Sequence, residues 1–176
     1  MFLLIFILNP YLLYPQTLND AILESQKLDY KKSLKILKKL PQTHQVLKHL
    51  GWTYLKLGKY AKASKVFLKI SHQNNYEILF GLGLSDFFAK HYENAYLYFT
   101  KCLDINKNCA AAEFFLGEIR NNQQKFDEAI KHYKNTLKLD YNFIEARIKL
   151  ARLYYTVKQY DNSFKEYTTL LNINPH

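Results

Sequence analysis

The chain has 176 residues, of which 48% are apolar and 23% charged, a composition that excludes a disordered tail and fits one elongated domain. Its two cysteines, Cys102 and Cys109, match neither a metal-binding spacing nor a disulfide framework, so we interpret both as packing residues. The formal net charge of +10 comes from 22 lysines and 3 arginines. Because arginine reads phosphates and base edges in fork geometry, its scarcity argues against nucleic acid as the partner.

Residues 1–15 form an apolar leader that only Asn9 and Pro10 interrupt before its end. The stretch is too short to cross a bilayer as a helix, which takes about 20 residues. Residues 2–8 could serve as the hydrophobic region of an export signal, although no basic residue precedes them and no small-residue cleavage site follows. Three interpretations stay open: an export signal, an apolar segment that packs on the repeats or fills their groove, and a misplaced chain start.

The compartment depends on which of these interpretations holds. A cleaved signal would make the protein periplasmic or secreted, and its absence would make the protein cytoplasmic. Membrane association is expected only through residues 1–14.

From residue 16 onward the chain is expected to be all-α, since no strand-like alternation of apolar and polar residues competes anywhere. Gly58 lies at a turn where helices commonly end in left-handed geometry, and Pro41 closes the first helix pair. The predicted helices are 17–27, 30–40, 44–57, 60–70, 76–89, 92–103, 110–122, 127–139, 144–157 and 161–173.

One spacing recurs through these helix pairs: a small residue, an aromatic, a second small residue and a large residue. Gly117, Phe126, Ala129 and Tyr133 show it best. The small residues are expected where two helices cross, and the large residue is expected to fill the seam between them. No such unit buries its apolar face alone, so each depends on the next unit stacking against it. The equivalent residues elsewhere are Ala21, Tyr30, Ser33 and Leu37; Gly51, Tyr60, Ala63 and Phe67; Gly83, Tyr92, Ala95 and Phe99; and Ala151, Tyr160, Ser163 and Tyr167.

This pattern resembles the tetratricopeptide repeat over residues of about 16 to 176, with leucine preceding the small residue at Leu50, Leu82, Leu116 and Leu150. The resemblance implies a right-handed α-solenoid of about five helix–turn–helix repeats that acts as a scaffold for protein binding. Its units would span about 16–41, 44–75, 76–109, 110–143 and 144–176. Two departures mark the ends: the closing proline of the family survives only as Pro175, and Asp20 stands where the neighbouring units have leucine.

No catalytic constellation is visible in the sequence. No two of the six histidines stand four apart, as a zinc-binding helix requires, and neither a phosphate-binding glycine loop nor a nucleophile elbow is present. We therefore expect no enzyme activity, no metal, no cofactor and no small-molecule substrate.

The candidate site is the concave wall formed by the first helix of each unit, where proteins resembling this one bind extended or helical peptides. We predict a groove for a partner protein's apolar-anchored peptide or amphipathic helix, with Trp52, Phe80, Phe87 and Phe114 as anchors. The alternative is that these aromatic side chains simply pack on neighbouring units. The predicted groove residues are Lys48, Trp52, Leu55, Phe80, Leu84, Phe87, Phe114, Glu118, Asn121, Ile148, Arg152 and Tyr155.

Two other functions compete with peptide binding. The last helix exposes Phe164, Tyr167 and Leu171, so the chain could act in assembly, by self-association or by docking through this end. A nucleic-acid binder that uses the lysines of the outer wall is the less favoured alternative.

Overall fold

The computed structural model describes residues 16–71 and 75–173, so the whole leader (1–15), residues 72–74 and residues 174–176, including Pro175, lie outside the described residues. Over the described ranges the prediction of an all-α fold is confirmed: ten helices pair into a right-handed solenoid. The helices are α1 Leu18–Gln26, α2 Tyr30–Leu37, α3 His44–Lys56, α4 Tyr60–Leu68, α5 Tyr76–Phe88, α6 Tyr92–Ile105, α7 Ala110–Asn122, α8 Phe126–Leu139, α9 Ile144–Thr156 and α10 Tyr160–Ile173.

The helix boundaries lie within a residue or two of the predicted ones except at the end of α2. This helix stops at Leu37, because the N–H of Lys39 bonds to the carbonyl of Ile36 at 2.9 Å and so tightens the last turn. Pro41 then follows and cannot continue a helix.

The first helix begins with a reciprocal cap that accounts for the acidic residue in the first unit. Thr17 Oγ1 accepts the backbone N–H of Asp20 at 3.3 Å, and the Asp20 carboxylate accepts the backbone N–H of Thr17 at 2.7 Å. Asp20 therefore stabilises the start of α1 instead of entering the core as the leucines of the other units do.

All five helix pairs are joined by the same turn. In each, one residue adopts left-handed geometry and two backbone bonds close the helix end; at Gly58 these run from Gly58 N–H to Leu55 O and from Lys59 N–H to Tyr54 O, both 2.9 Å. The prediction for Gly58 is confirmed, with φ of +68°. The four equivalent positions hold residues with side chains, at φ of +60° to +65°: Leu28, Lys90, Gln124 and Lys158.

In the second, third and fourth units a glycine of the first helix lies against an aromatic ring of the second helix: Gly51 on Phe67, Gly83 on Phe99 and Gly117 on Tyr133. A β-carbon on Gly51 would lie 2.6 Å from the ring of Phe67, and the same ring lies equally close to Gly81 of the next unit. Phe67 is fully buried between these two backbones. The predicted role of the large residue in filling the seam therefore holds, and it extends across the boundary between units.

The odd-numbered helices share one side of the stack, which we call the inner wall. Helix α3 contacts both α1 and α5, in addition to its own partner α4. Side chains continue the connection along the stack: Lys48 of α3 pairs with Glu77 of α5, and Glu118 of α7 pairs with Lys149 of α9. The even-numbered helices lie behind them, and we call their exposed side the outer wall.

None of the helices in the described ranges is both long enough and apolar enough to cross a membrane.

Candidate functional site

The middle of the inner wall is a cluster of aromatic rings. Phe115 stacks on Phe99 with ring centroids 5.2 Å apart and meets the rings of Phe80 and Phe87 edge-on at 6.0 and 5.1 Å. Phe80 and Phe87 are only half-buried. The two predicted anchors thus pack on the neighbouring unit, as the alternative interpretation had it, while part of each ring stays at the surface.

Phe114 is not a groove residue, and its predicted role as an anchor is wrong. Its side chain is 6% exposed and turns into the core between α7, α8 and α9. The ring of Phe143 stacks on it with centroids 5.1 Å apart, and Tyr133 lies at 6.0 Å. A buried ring held on two sides has no surface to offer a ligand.

Two charged residues of the predicted groove are already paired within the chain. The Lys48 ammonium lies 3.1 Å from the Glu77 carboxylate. Glu118 accepts a hydrogen bond from the Tyr133 hydroxyl and pairs with Lys149. Burial, with the carboxylate of Glu118 beside it, raises the pKa of Tyr133 far above its usual range, so the phenol stays a donor. These residues tie neighbouring units together.

The N-terminal part of the inner wall holds a pocket of about 260 Å³ between α1 and α3. Trp52 forms one side and packs edge-on against Phe67, with centroids 5.5 Å apart. The indole N–H of Trp52 is buried and has no hydrogen-bond partner among the described residues. The pocket is lined by Ile22, Ser25, Gln26, Tyr30, His49, Trp52, Thr53 and Lys56.

His49 contributes no charge to this pocket at neutral pH. Burial lowers the pKa of its imidazole, and the positive charge of Lys48 lowers it further. The surface that faces the pocket is therefore largely apolar, which suits a small apolar anchor.

The C-terminal end of the inner wall is more exposed. Arg152 and Tyr155 project from α9, with 64% of the Tyr155 side chain exposed. Ile148 and Asn121 are half-buried, as Leu55 and Leu84 are nearer the N-terminus. Among the described residues, no three His, Cys, Asp or Glu side chains are grouped to hold a metal ion.

Comparison with known proteins agrees with this architecture. The tetratricopeptide repeat profile matches residues 45–70, 76–109 and 144–176, which together make up more than half of the chain. The chain belongs to the tetratricopeptide repeat (TPR) family. This family consists in general of non-enzymatic scaffolds for protein interaction.

Several solved structures share the fold of this TPR protein. A crystal structure of MamA superimposes with a TM-score of 0.78 at 22% identity, covering 88% of this chain and 94% of MamA. MamA from Desulfovibrio magneticus RS-1 gives 0.80 at 17% identity, covering 89% and 92%. YrrB, described as a TPR protein with an unusual peptide-binding site, gives 0.69 at 19% identity, covering 90% and 84%. At these identities the likeness shows the fold alone.

A human relative matches a shorter stretch. DnaJ homolog subfamily C member 7 from Homo sapiens is 30% identical over 81 residues, which cover 44% of this chain. The match spans 16% of that relative's own length.

Two features of the TPR inner wall are absent from the sequence-based predictions: the place of Phe115 and the pocket beside Trp52. Phe115, the centre of the aromatic cluster, stands 34 residues after Gly81, so the repeat spacing places it at the boundary between units. The 34-residue spacing alone would therefore have predicted that Phe115 packs between units. The pocket beside Trp52 depends on Tyr30 reaching in from α2, which no spacing indicates.

Proposed function

We propose that this TPR protein is a non-catalytic scaffold whose inner wall binds a peptide or helix of a partner protein. The observation that carries the proposal is the largely apolar pocket beside Trp52, which lies between the first helices of two adjacent units. An apolar side chain of a bound peptide would enter this pocket, and Lys56 in its lining would donate a hydrogen bond to a peptide carbonyl oxygen.

The charge distribution of the inner wall restricts the ligand. Because Lys48 already pairs with Glu77, we do not expect the site to grip a terminal carboxylate through that lysine. Farther along, the half-buried faces of Phe80 and Phe87 suit apolar side chains, and Arg152 suits an acidic or polar one. The expected ligand has an apolar anchor at one end and acidic or polar residues at the other.

The family and its known folds support this proposal. TPR proteins generally act in protein interaction rather than in catalysis, and YrrB is described as carrying a peptide-binding site on the same fold. Nothing in the proposed mechanism needs a cofactor or a metal.

The test is selection of ligands from a displayed library of random peptides, followed by affinity measurements with variants. Leu55→Glu and Phe80→Glu change half-buried inner-wall residues and should weaken binding of the selected peptides at least about tenfold. The matched control is Leu97→Glu, which places the same charge on an exposed residue of α6 and should leave affinity unchanged. Peptides whose affinity falls with the control and not with the inner-wall variants would contradict the proposal.

A second candidate function, assembly through α10, is favoured by one specific observation. Phe164 is 75% exposed and Leu171 67% exposed, and Tyr167 lies with them on one face of α10. The residues equivalent to Tyr167 in the three preceding units are fully buried: Phe67, Phe99 and Tyr133. In the earlier repeats the equivalent face is covered by the helices of the next repeat. A second copy of the chain could cover the face of α10 by packing its own α10 against it symmetrically.

Sedimentation velocity tests this second candidate directly. The mass of the sedimenting particle should rise with protein concentration. The double variant Phe164→Lys and Leu171→Lys should keep this mass at the monomer value. A monomer at all concentrations, or an assembly that the two lysines do not disrupt, would remove this candidate.

A further inference from the structure

The positive charge of the chain is concentrated in its first two repeats. Between Asp29 and Glu77 there is no acidic residue, whereas there are eleven lysines. This stretch therefore carries +11, and the remaining residues together carry −1. Within the described residues, only two of the eleven, Lys32 and Lys48, pair with a carboxylate.

Six of these lysines stand in register on the outer wall. Lys35 of α2 and Lys65 of α4 are thirty residues apart, the same step that relates Ala21 to Gly51. Equivalent residues of adjacent repeats project from the same side of consecutive helices, so the lysines form two parallel rows. All six are exposed, and we call them the lysine ladder: Lys32 and Lys62, Lys35 and Lys65, and Lys39 and Lys69.

Only these two repeats hold lysine at all three ladder positions. The third repeat has Asn94, Leu97 and Lys101 there, the fourth has Glu128, Lys131 and Asn135, and the fifth has Asn162, Lys165 and Thr169. Lysine thus recurs along the outer wall, but only the stretch between Asp29 and Glu77 combines it at all three positions with the absence of acidic residues. This stretch therefore defines a patch of local positive potential.

We propose that the lysine ladder docks the protein onto a membrane surface that contains anionic lipids. Clusters of four to eight basic residues on a surface attract anionic headgroups as point charges, a role in which lysine needs no fork geometry. Leu68 is 51% exposed and lies beside Lys65 and Lys69, so an apolar side chain is available to enter the headgroup region among the cations. This surface lies behind the inner wall, so docking leaves the peptide site free.

Two further observations favour a membrane over a nucleic acid as the anionic partner. In residues 29–71, no aromatic side chain is among the exposed ones, so the two ladder helices offer bases no exposed aromatic ring of their own. The first repeat also follows directly on residues 1–14, which contain twelve apolar residues and no charge. A weak apolar contact and a basic patch together give stable membrane attachment where either alone gives little.

The test is flotation of the full chain with lipid vesicles. The protein should bind vesicles that contain phosphatidylglycerol and should not bind pure phosphatidylcholine, and raising the salt concentration should release it. Lys35, Lys39, Lys65 and Lys69 are changed together to Gln, which should lower binding at least about tenfold. The corresponding Lys→Arg variant should retain binding, because the charge is kept. The matched control changes Lys131, Lys134, Lys138 and Lys165 to Gln, which removes the same charge from exposed positions of α8 and α10.

Three other outcomes would overturn the proposal that the lysine ladder binds anionic membranes. Equal loss in the ladder and control variants would mean that only net charge matters. Equal binding to neutral vesicles would assign attachment to the apolar segment alone. Tighter binding to a single-stranded oligonucleotide than to anionic vesicles, with the same dependence on the ladder, would make the patch a nucleic-acid surface. Helical circular dichroism and the melting temperature of each variant confirm that the fold is intact.

Discussion

The ring of Phe99 lies so close to Gly83 that a β-carbon on the glycine would stand 2.7 Å from Cε1 of the ring. Phe99 is fully buried, and the contact joins the two helices of the third repeat. The first repeat fills the space between its two helices with a different pair: Ala21 stands in place of the glycine, and the smaller Leu37 stands in place of the ring. Volume is thus conserved across the contact from one repeat to another.

Gly83→Ala should lower the free energy of unfolding by about 1–3 kcal/mol, because the added methyl group forces the Phe99 ring out of place. Phe99→Leu alone should cost about 1–3 kcal/mol through the cavity it leaves. The double variant Gly83→Ala and Phe99→Leu has the same pair of residues as the first repeat. Its loss in free energy of unfolding should be at least about 1 kcal/mol smaller than the sum of the two single losses. Urea denaturation of the four proteins measures this coupling, and additive costs would show that the two residues do not share the space.

The turn residue Gln124 should be replaceable by glycine with a gain in stability. Its φ of +60° costs a residue with a side chain about 1–2 kcal/mol, which glycine avoids at some cost in chain entropy. Gln124→Gly should therefore raise the free energy of unfolding by about 0.5 kcal/mol, whereas Gly58→Ala should lower it by about 1 kcal/mol. Thermal unfolding checks both changes. The control Lys131→Gly, inside α8, should destabilise by about 1 kcal/mol, and a loss of stability in Gln124→Gly would contradict the expectation.

The thiol of Cys102 should make stability depend on pH in the alkaline range. Burial raises the pKa of Cys102 to about 12, from an ordinary value of 9.0, and the thiol donates to the carbonyl of Tyr76 at 3.3 Å. Below pH 9 the thiol is neutral whether the chain is folded or unfolded, and its contribution is fully present. As the pH rises toward 12, the unfolded chain releases the proton and the folded chain keeps it, so this contribution is lost.

Denaturation at about pH 8 and about pH 10.5 isolates the effect. The stability difference between the natural chain and Cys102→Ala should shrink by about 1–2 kcal/mol between the two pH values, since one pKa unit corresponds to about 1.4 kcal/mol. Cys109→Ala, at a half-exposed cysteine, serves as the control and should show a smaller change. A constant difference for Cys102→Ala would mean that the thiol is not protected in the folded state.

The repeat spacing predicted the paired helices because each unit supplies its own small and aromatic residues at fixed positions. It could not predict the left-handed residues Lys90 and Gln124, since the closing backbone bonds impose that geometry without a glycine to mark it. The groove residues were predicted less well, because their burial depends on contacts with other helices that the spacing does not reveal. Whether Phe114 or Phe115 enters the core depends on which neighbouring rings cover it, and Phe143 covers Phe114 from the N-cap of α9, where the next repeat begins.

Trp52 can serve as an intrinsic fluorescence probe of the inner wall because it is the single tryptophan of the chain. Its fluorescence emission therefore reports on the pocket between α1 and α3 without any label. Its response to a ligand depends on whether an apolar side chain displaces water from the pocket beside the indole ring.

The measurement that tests the account most directly is titration of the protein with a selected peptide while the emission of Trp52 is followed. We expect a saturable change in intensity and wavelength with the same dissociation constant that calorimetry gives, weakened at least about tenfold in Leu55→Glu and unaltered in Leu97→Glu. Binding by calorimetry with no change in Trp52 emission, and with full affinity in Leu55→Glu, would place the ligand elsewhere and contradict the assignment of the inner wall.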